Sequence, residues 1–318
     1  MFEPIYKDYI WGGTRIAKFY RRSVNKTVCA ESWEISDRPE GMSIVTNGTA
    51  AGTTLHDLTK SMGVRLVGTS SPSPVFPLLI KILDAKERLS VQVHPGENTA
   101  QMLNAVPKTE AWYILATEPG AMVYAGFTPG LNKNSLKTAL LKENIETVLN
   151  QIAVHEGDVV FVPGGRVHSI AEGCLILEVQ QNSNTTYRLH DWKRLTNDGH
   201  PRELHIKEAL NAINWNDNKP TLLKPRLIPH KSKNPVWDLI ACSHFQIIRI
   251  DMAKPDDVLN DGRSFHALFV TRGSAIVSHN EQEYALSAGT SCLLPAAIHN
   301  YGLRPTSTGT QILRISLP

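Results

Sequence analysis

Residues 157–168 read GDVVFVPGGRVH, and this stretch decides the fold. Gly157 suits a turn, and the apolar run after it is a short strand. Pro163 ends that strand because proline cannot donate to a ladder, and glycine at 165 permits a tight bend. The bend aims the imidazole of His168 inward. A lone histidine in a surface turn is common, but one framed in this way reads as a metal ligand. A related pattern recurs in GTSCLLPAAIH (289–299), with a glycine, five residues, a proline and then a histidine. AWYILATEPGAMV (111–123) is likewise echoed by ALFVTRGSAIV (267–277). This faint internal repeat predicts two similar β-domains.

The rest of the chain agrees. AESWEIS (30–36) alternates polar and apolar residues as a half-buried strand does. MSIVTNG (42–48) is a strand ending in an Asn-Gly turn, and SSPSP (70–74) is a loop. FPLLIKILDAKERLSVQVHP reads as two strands, and PKTEAWYILATEPGAMVYAGF (107–127) as a hairpin turning at 118–120. VVFVP, CLILEVQQ and TYRLHDW continue the series. Helices are few and short: one in TTLHDLTKSMGVRLVG, one in ENTAQMLNA, two in 134–152 and one in 203–215. Many short strands with brief helices predict a mainly β chain of barrels or jelly rolls. The Pro- and Lys-rich LLKPRLIPHKSKNP reads as a linker. It separates a first domain, 1–225, carrying a small helical insertion, from a second β-domain, 236–318.

Composition narrows the function. With 42% apolar and 20% charged residues, the 318-residue chain can bury a real core. A net charge of +3 without a dominant basic run gives no reason to expect nucleic acid as a partner. Cys29, Cys174, Cys242 and Cys292 show no CxxC spacing and read as reduced thiols of a cytoplasmic protein. The N-terminal MFEPIYKDYIWGG lacks the pattern of a signal peptide, and no apolar run is long enough to span a membrane.

A second chemistry-bearing stretch is SVQVHP (90–95). In a strand, Gln92 and His94 face one way while Val91 and Val93 bury on the other. Alone, this is either half a metal cage or a strand with two polar residues in water. The framing of His168 matches the second motif of the cupin jelly roll, G-x5-P-x-G-x-x-H. The first cupin motif departs from the general pattern: Gln92-Val93-His94 stands where HxH is usual, and the nearest suitable carboxylate is the distant Glu110. SVQVHP, PKTEAW, PGGRVHS and TYRLHDW follow the order seen in type I mannose-6-phosphate isomerases. With YIWGG and AESWEIS, the sequence resembles the short bacterial form of that family over nearly its whole length, more loosely in the C-terminal domain.

The resemblance implies two cupin-like jelly-roll domains and a zinc ion, one per chain, held by Gln92, His94, Glu110 and His168. Two imidazoles, one carboxylate and one amide leave room for substrate oxygens, although Iron(II) would suit a similar triad. It also implies interconversion of mannose 6-phosphate and fructose 6-phosphate through a cis-enediol(ate), with Arg188 and Lys108 catalytic. A lysine beside a divalent cation has a depressed pKa and suits proton transfer; a metal-bound water or a nearby His or Asp is the alternative base. Lys108 otherwise reads as an exposed loop lysine, and Arg188 as a structural partner of Asp191. Ser90, Lys81 and Arg194 are the expected phosphate contacts. The other readings are an iron-dependent cupin oxygenase and a non-catalytic sugar-binding cupin. The second domain keeps His266 and His299, has no Gln-x-His pair and carries Ala297 in place of the motif glycine, so no metal is expected there. The chain is expected to act as a monomer or weak homo-oligomer.

Overall fold

Antiparallel strands dominate the computed structural model, which describes residues 1–70, 73–196, 198–217 and 221–318. Part of the expected 70–74 loop, residues 71–72, lies outside the described residues. The chain divides into two compact units. One gathers Tyr6–Ser32 and Ile80–Leu223, and the other Met1–Ile5, Trp33–Leu79 and Lys224–Pro318.

The first of these units is a sandwich. In its larger sheet, the strands Leu78–Ala85, Cys174–Gln181, Glu110–Thr117, Val159–Val162 and Leu222–Leu223 lie in that order. The smaller sheet runs Tyr187–His190, Val91–Val93, His168–Ile170, Met122–Phe127, Leu149–Ala153. Trp112, Ile114 and Ile176 from the larger sheet meet Val123, Ala125 and Ile170 from the smaller in one buried cluster. The expected hairpin at 107–127 is therefore a corner. Glu110–Thr117 pairs with Val159–Val162 and Cys174–Gln181, while Met122–Phe127 pairs with His168–Ile170 and Leu149–Ala153. Each strand finds more apolar surface by entering a different sheet than by pairing with its neighbour in sequence. The outer face of the smaller sheet is covered by the helices Lys133–Leu141 and Ile206–Ala212, which pack on Val91, Val93 and Leu189. That cover fixes the register of the short strand: with its valines held under helices, Gln92 faces the interior.

The other unit repeats the plan. One sheet runs Arg226–Leu227, Val236–Ala241, Gln246–Met252, Thr310–Ser316, His266–Arg272, Ser291–Leu294. The second runs Asp256–Leu259, Asn300–Pro305, Ser274–His279, Gln282–Ser287. Ile248, Leu268 and Ile312 from one sheet pack with Val258, Val277 and Leu303 from the other. Among the described residues, no helix is long and apolar enough to cross a membrane.

Candidate metal centre

Three buried side chains converge between the sheets of the first unit. His94, Glu110 and His168 offer ligand atoms that all lie within 4.8 Å of one another, and each side chain is about 1% exposed. Local sequence explains the convergence. Gly165 has φ +90, and its N–H donates to the His94 carbonyl at 2.7 Å. A Cβ at Gly164 would stand 2.5 Å from the Gly96 Cα. Two glycines after Pro163 thus let the turn before His168 press backbone to backbone on the turn after His94. His168 lies directly across from Gln92 in the ladder, and Gln92 lies across from Arg188. Arg188, Gln92 and His168 form one row across the sheet.

The histidines are oriented from behind. His94 Nδ1 bonds the Thr185 carbonyl at 2.7 Å, and His168 Nδ1 bonds the Arg166 carbonyl at 2.9 Å. Each carbonyl takes the Nδ1 proton, which leaves Nε2 as a lone-pair donor. Both Nε2 atoms lie 3.4 Å from Glu110, one at each carboxylate oxygen. Burial, then the Lys108 charge, lowers His94 to about 3, and burial lowers His168 as well. Both rings are neutral, as ligands must be. Burial alone would raise Glu110, but the Lys108 charge leads the opposing effects, and the carboxyl is held well below its usual range.

The donor set fits a divalent metal ion. Neither Glu110 oxygen accepts a well-directed hydrogen bond, although both are buried. The Lys108 ammonium is its nearby counter-charge, and the two neutral imidazoles beside the carboxylate complete a donor set that could hold a metal ion. Gln92 presents Nε2 to His168 Nε2 at 3.3 Å, while its Oε1 accepts from Ser90 Oγ at 3.1 Å. A half-turn of the amide exchanges the two, turning Oε1 inward and letting the hydroxyl accept from Nε2.

The other expected residues are placed unevenly. Lys108 is buried at the centre, with Nζ 2.8 Å from Glu110 Oε2 and 3.1 Å from His94 Nε2. Arg188 is half-buried; Nη1 donates to the Glu203 carbonyl at 2.8 Å and Nε finds no partner. Asp191, its alternative partner, is held instead by Arg194 at 2.6 Å and Arg202 at 2.5 Å. Lys81 is buried 2.8 Å from Glu178 and 3.5 Å from Glu31. Sequence reasoning missed Glu178, Arg202 and the carbonyl of Thr185. Glu178 was findable: it sits between Leu177 and Val179 in a strand whose alternation turns it inward, and Trp112 Nε1 donates to it at 3.1 Å. A backbone carbonyl carries no signal in sequence.

Comparison with known proteins agrees with this geometry. Residues 1–157 match the family described as phosphomannose isomerase type I, catalytic domain, and residues 238–311 match the mannose-6-phosphate isomerase cupin domain. Mannose-6-phosphate isomerase ManA of Bacillus subtilis is 33% identical, with 95% of this chain and 94% of that one covered. The chain belongs to the type I phosphomannose isomerases. A mannose-6-phosphate isomerase of Streptococcus mutans is 31% identical over 95% of each chain. The crystal structure of the Bacillus subtilis mannose 6-phosphate isomerase superposes with a TM-score of 0.90 at 31% identity, covering 100% of this chain and 98% of that one. A phosphomannose isomerase variant from Salmonella typhimurium, at 19% identity, shares the fold with a TM-score of 0.77. The first cupin of this type I phosphomannose isomerase holds the whole His-Glu-His triangle.

Proposed function

We propose that the chain is a zinc-dependent aldose–ketose isomerase that interconverts mannose 6-phosphate and fructose 6-phosphate through a cis-enediol(ate). The observation that carries this reading is the buried triangle of His94, Glu110 and His168, whose ligand atoms all lie within 4.8 Å of one another, in a chain of this family. Gln92, His94, Glu110 and His168 would hold one zinc, which supplies Lewis-acid polarisation of the substrate oxygens when bound.

The reaction removes a proton α to a carbonyl and returns it to the neighbouring carbon. Lys108, buried at the centre, is assigned the proton transfer. Arg188, in the same row as Gln92 and His168 and with an unpartnered Nε, is assigned stabilisation of the developing enediolate. Ser90 and Arg194 are assigned to the phosphate. Arg188, Arg194 and Arg202 gather around Asp191, and Arg188 also has Glu203 near it, so three cations meet two carboxylates and the group retains positive charge for an anion. Lys81 was expected in this set, but its ammonium is engaged by Glu178 and Glu31; a stability measurement separates the two roles. A cytoplasmic setting and a monomer or weak homo-oligomer complete the reading.

A coupled assay of mannose 6-phosphate conversion tests it. Activity should disappear on chelation and return with zinc at one ion per chain. Undiminished turnover by protein shown to be free of metal would refute the zinc-dependent reading.

A further inference from the structure

The second unit contains a cavity of about 720 Å³ at one end of its barrel. The strand registers show which residues replace the metal-centre side chains there. In the first unit, Glu110 lies across from Val162, the residue before Pro163. In the second, His266 lies across from Leu294, the residue before Pro295. His266 thus occupies the place of Glu110. Two residues on, Trp112 pairs with Glu178, and Leu268 pairs with Arg314. Arg314 thus occupies the place of Glu178. Two buried carboxylates have become a neutral imidazole and a guanidinium, so a cation stands where the first barrel has an acid.

Arg314 is not neutralised as Glu178 is. Its cross-strand neighbours on both sides are apolar, Ile248 and Leu268. Its Nε is buried without a hydrogen-bond partner, and among the described residues no ion pair links it to a carboxylate. Gln246 and Ser316, paired across the ladder, lie on the same face and also line the cavity. His266 Nδ1 bonds the Tyr301 hydroxyl at 2.9 Å, which fixes the ring against the barrel wall. Around the cavity stand Asp256, Asp257 and Asp261, the last held by Arg263 at 2.6 Å. A cationic group on the wall with carboxylates and amide groups around it suits a ligand that carries both an oxyanion and hydroxyls: the oxyanion meets Arg314, and the hydroxyls donate to the acids. The volume suits a small metabolite.

We propose that this cavity is a second ligand site, for a small polyhydroxylated oxyanion such as a sugar phosphate or a sugar acid, with Arg314 holding the anionic group. Equilibrium dialysis of the full-length, zinc-loaded protein against glucose 6-phosphate, gluconate and inorganic phosphate tests it. At least one of the two sugar ligands should bind more tightly than inorganic phosphate, in a component that Arg314→Gln weakens at least tenfold. Arg314→Lys should keep that component within a few-fold, and turnover of mannose 6-phosphate should be unchanged in both variants. Ser316→Phe, which fills the cavity without removing the charge, should also abolish it and serves if Arg314→Gln fails to fold. A phosphate ester or a carboxylate as the preferred ligand identifies the oxyanion. Identical binding in wild type, Arg314→Gln and Ser316→Phe overturns the proposal, as does inorganic phosphate binding as tightly as either sugar ligand.

Discussion

Lys108 neutralises Glu110. Its ammonium lies 2.8 Å from Oε2, and both side chains are buried. The same ammonium reaches His94 Nε2 at 3.1 Å, so one cation touches two of the three groups that form the metal triangle. It serves as a counter-charge for the carboxylate, and in the proposed reaction it would also carry the proton.

The proton-carrier role predicts that Lys108→Met loses roughly 10²- to 10⁴-fold in kcat, the usual contribution of general acid–base catalysis. Zinc content should stay at one per chain, because Lys108 is not a ligand. Steady-state kinetics alongside elemental analysis of one preparation checks this. Near-normal kcat in the metallated variant would move the proton to another group.

The counter-charge role makes a separate prediction. Without metal, Lys108→Met leaves Glu110 with no full positive charge beside it in a buried site, which costs about 3–5 kcal/mol. With zinc bound, the ion supplies that charge and the penalty should shrink to about 1 kcal/mol or less. Chemical denaturation of wild type and variant, each with and without zinc, gives the four values. Equal destabilisation in both states would remove the counter-charge role.

The sequence revealed the first half of this centre well and the second half poorly, for physical reasons. His168 is framed by glycine and proline, whose backbone preferences are local and readable, whereas the strand of Gln92 and His94 shows which face they share and the family resemblance supplies their role. Glu110 needed the family resemblance, because nothing within its own strand says that it faces two histidines. The corner at 118–121 looked like a hairpin because sheet partnership is a tertiary choice between buried surfaces. The ion pairs of Lys81 were not legible either, because sequence does not show that Glu31 and Glu178, 50 residues below it and 97 above it in the numbering, close on its ammonium.

That ion pair gives Lys81 a structural task whose weight can be measured. Burial opposes its charge, but Glu178 and Glu31 outweigh burial and hold the ammonium protonated. Lys81→Met should therefore destabilise the fold by about 3–5 kcal/mol, because two buried carboxylates lose their cation. KM for mannose 6-phosphate should change little in protein that remains folded. A large rise in KM without loss of stability would return Lys81 to the phosphate set.

Arg194 predicts the opposite pattern. Its guanidinium is half of a pair held on Asp191, with Arg202 as the other half. Replacing one charged hydrogen-bond donor to the phosphate costs about 1.5–3 kcal/mol. Arg194→Gln should raise KM by roughly 10- to 100-fold, with kcat reduced far less. An unchanged KM would leave Arg194 as a structural partner of Asp191 alone.

The second barrel carries a pH signature that does not involve the metal centre. Burial, followed by the Arg314 charge, lowers His266 from 6.5 to about 3, while Asp261 opposes them. Between those two values the unfolded chain binds a proton that the folded chain refuses. Stability from this group is therefore fully present above pH 6.5 and falls as the pH drops toward 3, with a slope approaching about 1.4 kcal/mol per pH unit. His266→Gln keeps a hydrogen-bonding side chain and removes the titration, so the variant should lose stability less steeply with falling pH than the wild type. Urea unfolding of both proteins at pH 7, 5.5 and 4.5, roughly spanning the upper part of that window, measures the difference. Parallel curves would mean that His266 accepts its proton in the fold as readily as in the unfolded chain, and that the guanidinium of Arg314 does not act on it.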